Sequence, residues 1–179
     1  DDEWNRGWKD IINTAISKEG IVFDTFEYDF KDKSNFNLYM RIQEKIKEFN
    51  PDVVILDLRL SQNDHENDEI DTYTGIKILE KIHNINAGIQ VIMLTATSKS
   101  TILEKLYEKK ILGYIKKEHP EDRTIDTVEN INKFIQLVDK GLGKKYLKEI
   151  WEIQHNILNL EILNSDNKNY RKIKFELAN

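Results

Sequence analysis

The sequence contains no cysteine. That excludes disulfides, thiolate metal sites and a cysteine nucleophile together, and it suits a reducing compartment. No apolar run approaches the length of a membrane span, and no signal-peptide pattern is visible, so the expectation is a cytoplasmic protein without a membrane partner. Basic residues are not gathered on one face, no helix-turn-helix pattern occurs and the net charge is -5; a nucleic-acid-binding role is not expected of this chain. His65, His83, His119 and His155 are too far apart for zinc-ligand spacing. The run Lys140-Gly-Leu-Gly-Lys-Lys145 lacks the spacing of a phosphate-binding loop and reads as a turn that breaks or bends a helix. Residues 60–74 are acidic, with Asp64, Glu66, Asp68, Glu69 and Asp71, but lack the central glycine and ligand spacing of a calcium loop. A solvated, flexible loop is the expectation there. Proline is scarce, and Pro51 and Pro120 each read as a boundary.

The remaining pattern is an alternation. At 179 residues the chain suits one domain plus an appendage. Trp4, Trp8, Ile11, Ile12, Ala15 and Ile16 recur at helical spacing, with Gly20 as a stop. Residues 21–30 alternate β-forming side chains and predict a strand. Leu38, Ile42, Ile46 and Phe49 predict one face of a helix that Asn50-Pro51 ends. Residues 52–58, Asp-Val-Val-Ile-Leu-Asp-Leu, are a strand buried on both faces. A helix with Ile76, Leu79 and Ile82 inward follows, then a buried strand at 89–96. Ile102, Leu103, Leu106 and Tyr107 predict the buried side of another helix, residues 111–117 a short strand, and residues 125–140 a long helix. Strands and helices in this alternation mean an α/β fold with a parallel sheet.

In open α/β sheets, sites form beyond the carboxyl ends of the strands. Asp57, Thr95 and Lys117 stand there. A carboxylate can attack phosphorus to give an acyl phosphate, a lysine is a compact cation for phosphoryl oxygens, and a threonine hydroxyl can donate one hydrogen bond. Mg²⁺ takes hard oxygen ligands, and the chain opens on the carboxylates Asp1, Asp2 and Glu3.

With these pieces in order, Asp1-Asp2-Glu3, Pro51–Leu60, Gly75–Ile82, Ile89–Ala96 and Gly113–Lys117, the sequence resembles the receiver domain of bacterial two-component response regulators. The resemblance spans roughly residues 1–139. It implies a flavodoxin-like, doubly wound parallel sheet of order 2-1-3-4-5. It implies that Asp57 accepts a phosphoryl group from a histidine kinase or phosphotransfer protein, and that Asp1, Asp2, Asp57 and the backbone carbonyl of Arg59 hold Mg²⁺. It also implies that Thr95 and Tyr114 are switch residues and that Lys117 is the site lysine. The sequence departs from the family pattern in four places. It opens at the acidic pair, without the family's first strand, which is expected either upstream in the natural protein or replaced by another segment. The loop at 60–74 is long. So is the link after the second strand. Glu118 stands where the family has proline.

Two other readings differ in class. A receiver-like protein-interaction module that is not phosphorylated would keep the fold without Mg²⁺ binding. A haloacid-dehalogenase-type phosphatase would need a second aspartate two residues after Asp57, where this sequence has Arg59; arginine cannot act as the general acid. Residues 140–179 lie beyond a receiver and form a second unit. Leu147, Ile150, Trp151, Ile153, Ile157, Leu158 and Leu160 make a broad apolar stripe on a helix. Such a stripe predicts a dimerisation or docking element, serving a homodimer or an output partner. Residues 170–177 are ambiguous between helix and strand.

Overall fold

The computed structural model describes residues 9–17, 20–26, 35–61, 63–66, 69–96, 100–117 and 125–163. Among the described residues three strands form one sheet: β1 (Val53–Asp57), β2 (Gln90–Thr95) and β3 (Gly113–Lys116). Their order is β1-β2-β3 and every pairing is parallel. β2 is central, and from Val91 to Thr95 it is buried on both faces, as an uninterrupted apolar run requires. The register sets Asp57 beside Leu94 and Thr95 beside Lys116, so the carboxyl ends of all three strands meet at one rim.

Helices cover both faces. Alternate strand residues point to opposite sides, and the two apolar clusters divide accordingly. Leu56, Leu58, Val91 and Met93 pack with α2 (Asn35–Phe49), α4 (Thr74–Ile85) and α5 (Ser100–Glu108). Ile92, Leu94 and Ile115 pack with Ile12 and Ile16 of α1 (Lys9–Ile16) and with Phe134 and Val138 of α6 (Ile125–Leu142). This is a doubly wound α/β arrangement. α2 ends as expected: Asn50 adopts the left-handed φ of 48° and its N–H donates to Ile46 O at 2.8 Å, a helix stop that asparagine tolerates.

Several expectations need correction. Residues 21–26 show the alternating burial of a strand, and Ile21 and Phe23 pack on the second cluster, yet no strand forms there. An extended segment becomes a strand only with a neighbour to share a ladder, and among the described residues β1 pairs with β2 alone. The rest of the predicted strand, 27–30, lies outside the described residues, as do Trp4, Trp8 and 164–179. Phe49 and Tyr107, expected on the buried faces, are exposed near the C-terminal ends of α2 and α5. Gly141 does not break α6; it is buried inside it, because a side chain there would strike Val53. The turn falls at Gly143–Lys145 instead.

That turn leads to α7 (Tyr146–Leu163), which is fastened to the end of the sheet opposite the rim. Lys148 is buried, and its Nζ donates to Asn50 O at 2.9 Å and Asp52 Oδ1 at 2.7 Å. Asn86, past the end of α4, donates through Nδ2 to Lys148 O and to Glu152 Oε1, each at 3.2 Å. Gly88 allows the approach: a Cβ there would lie 2.4 Å from the backbone of Leu147. Lys148→Ala is expected to destabilise the protein by about 1–3 kcal/mol by removing the charge-assisted bonds that fasten α7 to Asn50 and Asp52; chemical denaturation checks this through a lower midpoint.

His83, in the last turn of α4, is half-buried. Burial, aided by the charge of Lys110, holds its imidazole below the ordinary 6.5. The unfolded chain therefore binds that proton more readily, so the native state is favoured above the ordinary value and weakens as pH falls below it. His83→Gln is expected to flatten this acid limb in a pH series of melting temperatures, and an unchanged slope would locate the effect elsewhere.

Candidate functional site at the carboxyl ends of the strands

β1 carries Asp57 to the rim, β2 carries Thr95, and Lys117 follows β3 immediately. Lys117 N–H donates to Thr95 O at 2.7 Å, which continues the β3 ladder by one residue and sets the lysine's direction. Lys117 Nζ then reaches across β2 to Asp57 Oδ2 at 2.6 Å. The two side chains are 8% and 13% exposed. A charge pair this sheltered is held by the surrounding fold, and stripping away one partner leaves the other buried and uncompensated, at a cost of about 3–5 kcal/mol. Thr95 is itself buried, on the strand between the pair.

The other oxygen of the carboxylate, Asp57 Oδ1, accepts the Arg59 backbone N–H at 3.3 Å. The Arg59 side chain turns away from the rim. Its Nη2 donates to the Tyr73 hydroxyl at 2.8 Å, its guanidinium lies 4.9 Å from the Tyr73 ring centroid, and its Nε is buried without a hydrogen-bond partner among the described residues. The guanidinium is thus committed to packing, while the Arg59 main chain stays beside Asp57. The N-terminus of α4 closes the same corner. Gly75 N–H donates to Leu58 O at 3.2 Å, and a Cβ on Gly75 would stand 2.3 Å from the Asp57 carbonyl oxygen. Only glycine admits so close an approach of helix to strand.

A model of the response regulator receiver domain matches residues 11–129, more than half of the sequence. The chain belongs to the response regulator receiver family. Two solved structures are similar to this receiver only loosely. One is a DNA-binding response regulator of the LuxR family from Staphylococcus aureus, 25% identical, covering 54% of this chain and 70% of that one, with a TM-score of 0.34. The other is a fusion bearing the yeast Spc42 trimeric coiled coil, 18% identical, covering 71% and 73%, with a TM-score of 0.39. Superpositions this loose add nothing to the family match. No curated protein matches the sequence.

Of the residues singled out in the sequence, the structure gathers Asp57, Thr95, Lys117 and the Arg59 main chain at the receiver's rim. Tyr114 lies back along β3, edge-on to Tyr107 of α5 with centroids 5.6 Å apart, and under Lys133 of α6 at 4.5 Å. It therefore bridges the helices flanking the edge strand. Burial, then the neighbouring Tyr107, holds its phenol above the ordinary value. Asp1, Asp2 and Glu118 lie outside the described residues. No cluster of three or more metal-ligating side chains occurs among the described residues; Asp57 and the Arg59 carbonyl are hard oxygen donors of the kind Mg²⁺ takes.

The long loop after β1 differs from expectation. It is not uniformly solvated: it contains α3 (Asn63–Glu66) and a 3₁₀ turn at Ile70–Thr72, and Asp64 within it is buried. Asp64 Oδ2 accepts the N–H groups of Leu60 at 2.9 Å and Ser61 at 3.0 Å. Its Oδ1 accepts the Thr74 N–H at 3.0 Å and the Thr74 hydroxyl at 3.1 Å. One carboxylate thus ties both ends of the loop and satisfies a free N–H at the start of α4. Nothing in the sequence separates it from its acidic neighbours, because only the folded loop shows which one turns inward. Asp64→Ala is expected to lower stability by about 1–3 kcal/mol and to raise amide exchange at Leu60, Ser61 and Thr74. Unchanged protection at those amides would show that the loop holds without it.

Proposed function

We propose that this chain is a phosphorylation-switched signalling receiver in which Asp57 is the phosphoacceptor. The observation that carries the reading is the sheltered Asp57–Lys117 ion pair at the strand ends, with Thr95 on the strand between. A carboxylate oxygen of Asp57 attacks phosphorus. The new bond is an acyl phosphate, and the bond to the donor, the imidazole nitrogen of a phosphohistidine on a histidine kinase or phosphotransfer protein, breaks and returns its electron pair to the donor.

Lys117 then has a dianion beside it in place of a carboxylate, and its ammonium follows the added charge. The Thr95 hydroxyl donates to a phosphoryl oxygen. The pull on Thr95 and Lys117 is passed to Tyr114, three residues before Lys117, and so to the face formed by α5, β3 and α6. Mg²⁺ would be held by Asp57, the Arg59 carbonyl and the acidic pair Asp1 and Asp2, and when bound it would neutralise charge between carboxylate and phosphoryl group. A cytoplasmic location goes with this role; no helix among the described residues is long and apolar enough to cross a membrane.

The test is intact mass after incubation with Mg²⁺ and acetyl phosphate, repeated with a phosphohistidine donor. Wild type is expected to gain one phosphoryl group, and Asp57→Asn none. A variant that is labelled as fully as wild type sinks the assignment of Asp57. Wild type unlabelled by both donors, with no Mg²⁺ binding in titration, supports the unphosphorylated interaction module instead.

A further inference from the structure

β1 ends at Asp57, and the sheet's ladder carries on only to Leu58, whose N–H donates to Leu94 O at 2.9 Å. The peptide joining Arg59 to Leu60 lies past that ladder, at the head of the loop that runs to α4. A planar peptide in such a place turns about its flanking single bonds unless a partner holds it.

Asp64 holds it. Its Oδ2 accepts the Leu60 N–H at 2.9 Å and the next N–H, that of Ser61, at 3.0 Å. The Leu60 N–H and the Arg59 carbonyl belong to one planar unit, and in a trans peptide they point in opposite directions. No cis peptide occurs among the described residues. Fixing the N–H on Asp64 therefore fixes the Arg59 carbonyl, directed away from Asp64. Among the described residues no backbone N–H donates to that carbonyl. On the other flank the Arg59 N–H donates to Asp57 Oδ1 at 3.3 Å, so both peptides of Arg59 are held.

Asp64 acts only through this main chain. It is 4% exposed, and its oxygens accept four hydrogen bonds, from Leu60 and Ser61 on Oδ2 and from the Thr74 N–H and hydroxyl on Oδ1. That is the full capacity of a carboxylate, with nothing left for a metal ion.

We propose that Asp64 is a positioning residue, which holds the Arg59 carbonyl in the orientation that lets Mg²⁺ take it as a ligand. This rests on the reading of Asp57 as a phosphoacceptor that works with Mg²⁺. Mg²⁺ demands near-ideal octahedral geometry, so a carbonyl free to turn is a poor ligand and one fixed in advance a good one. Groups that orient a metal's ligands matter nearly as much as the ligands.

The test is the Mg²⁺ dissociation constant of the full chain by titration calorimetry, with cooperative unfolding checked for each variant. Asp64→Ala is expected to weaken Mg²⁺ binding about 10–100-fold. Asp64→Asn separates aim from charge. Its amide oxygen can take the Leu60 and Ser61 N–H groups while its NH₂ faces the Thr74 hydroxyl, so Mg²⁺ affinity is expected to stay near wild type with the charge gone. Thr74→Val loosens the far end of the loop and leaves the Leu60 bond, so it is expected to lower stability and leave Mg²⁺ affinity unchanged. Asp64→Ser, one bond shorter and with a single oxygen, replaces Asp64→Ala if the alanine variant does not fold, with the same loss expected. Full affinity in Asp64→Ala, an equal loss in Asp64→Asn, or an equal loss in Thr74→Val would each overturn the proposal. The phosphoacceptor reading survives all three if wild type binds Mg²⁺ and gains its phosphoryl group; wild type that does neither overturns both.

Discussion

Asp57 and Lys117 are 60 positions apart in sequence and 2.6 Å apart in the fold. Bringing two opposite charges together in so sheltered a place is unfavourable unless their geometry is fixed in advance, since both must leave water. The parallel sheet fixes it. β1 and β3 flank β2 in matched register, the ladder extends by one bond to Lys117, and the lysine has one short span to cross. The rim is therefore a property of the whole sheet. Loosening β2 from either neighbour would separate the pair.

The corner around Asp57 is built with the same economy. Gly75 lets α4 press against the end of β1, Asp64 gathers the loop between them, and Tyr73 holds the Arg59 side chain away from the carboxylate. These contacts keep β1 and α4 from shifting independently.

At the other end of the molecule, Lys148 and Asn86 weld the start of α7 to the base of β1 and to the end of α4. α7 is thus joined to the strand that ends in Asp57 and to the helix that packs against that strand. A change at the rim has a rigid element on which to act.

The sequence by itself determined the α/β class, the three strands and the strand-end positions of Asp57, Thr95 and Lys117, because uninterrupted apolar runs and their polar endings are local signals; it overstated the burial of β1, which is half-buried except at Leu56 because, among the described residues, it pairs on one side only. It also determined the inward faces of α2 and α4 at Leu38, Ile42, Ile46, Ile76, Leu79 and Ile82, which follow from helical period alone. It could not show that residues 21–26 form no strand, since a ladder depends on a neighbour and not on the segment itself. It could not single out Asp64 from the other carboxylates of its loop, or Lys148 from the lysines around it. Those roles were decided by tertiary structure, because burial and hydrogen-bond partners are set by which distant main-chain groups the fold brings within reach.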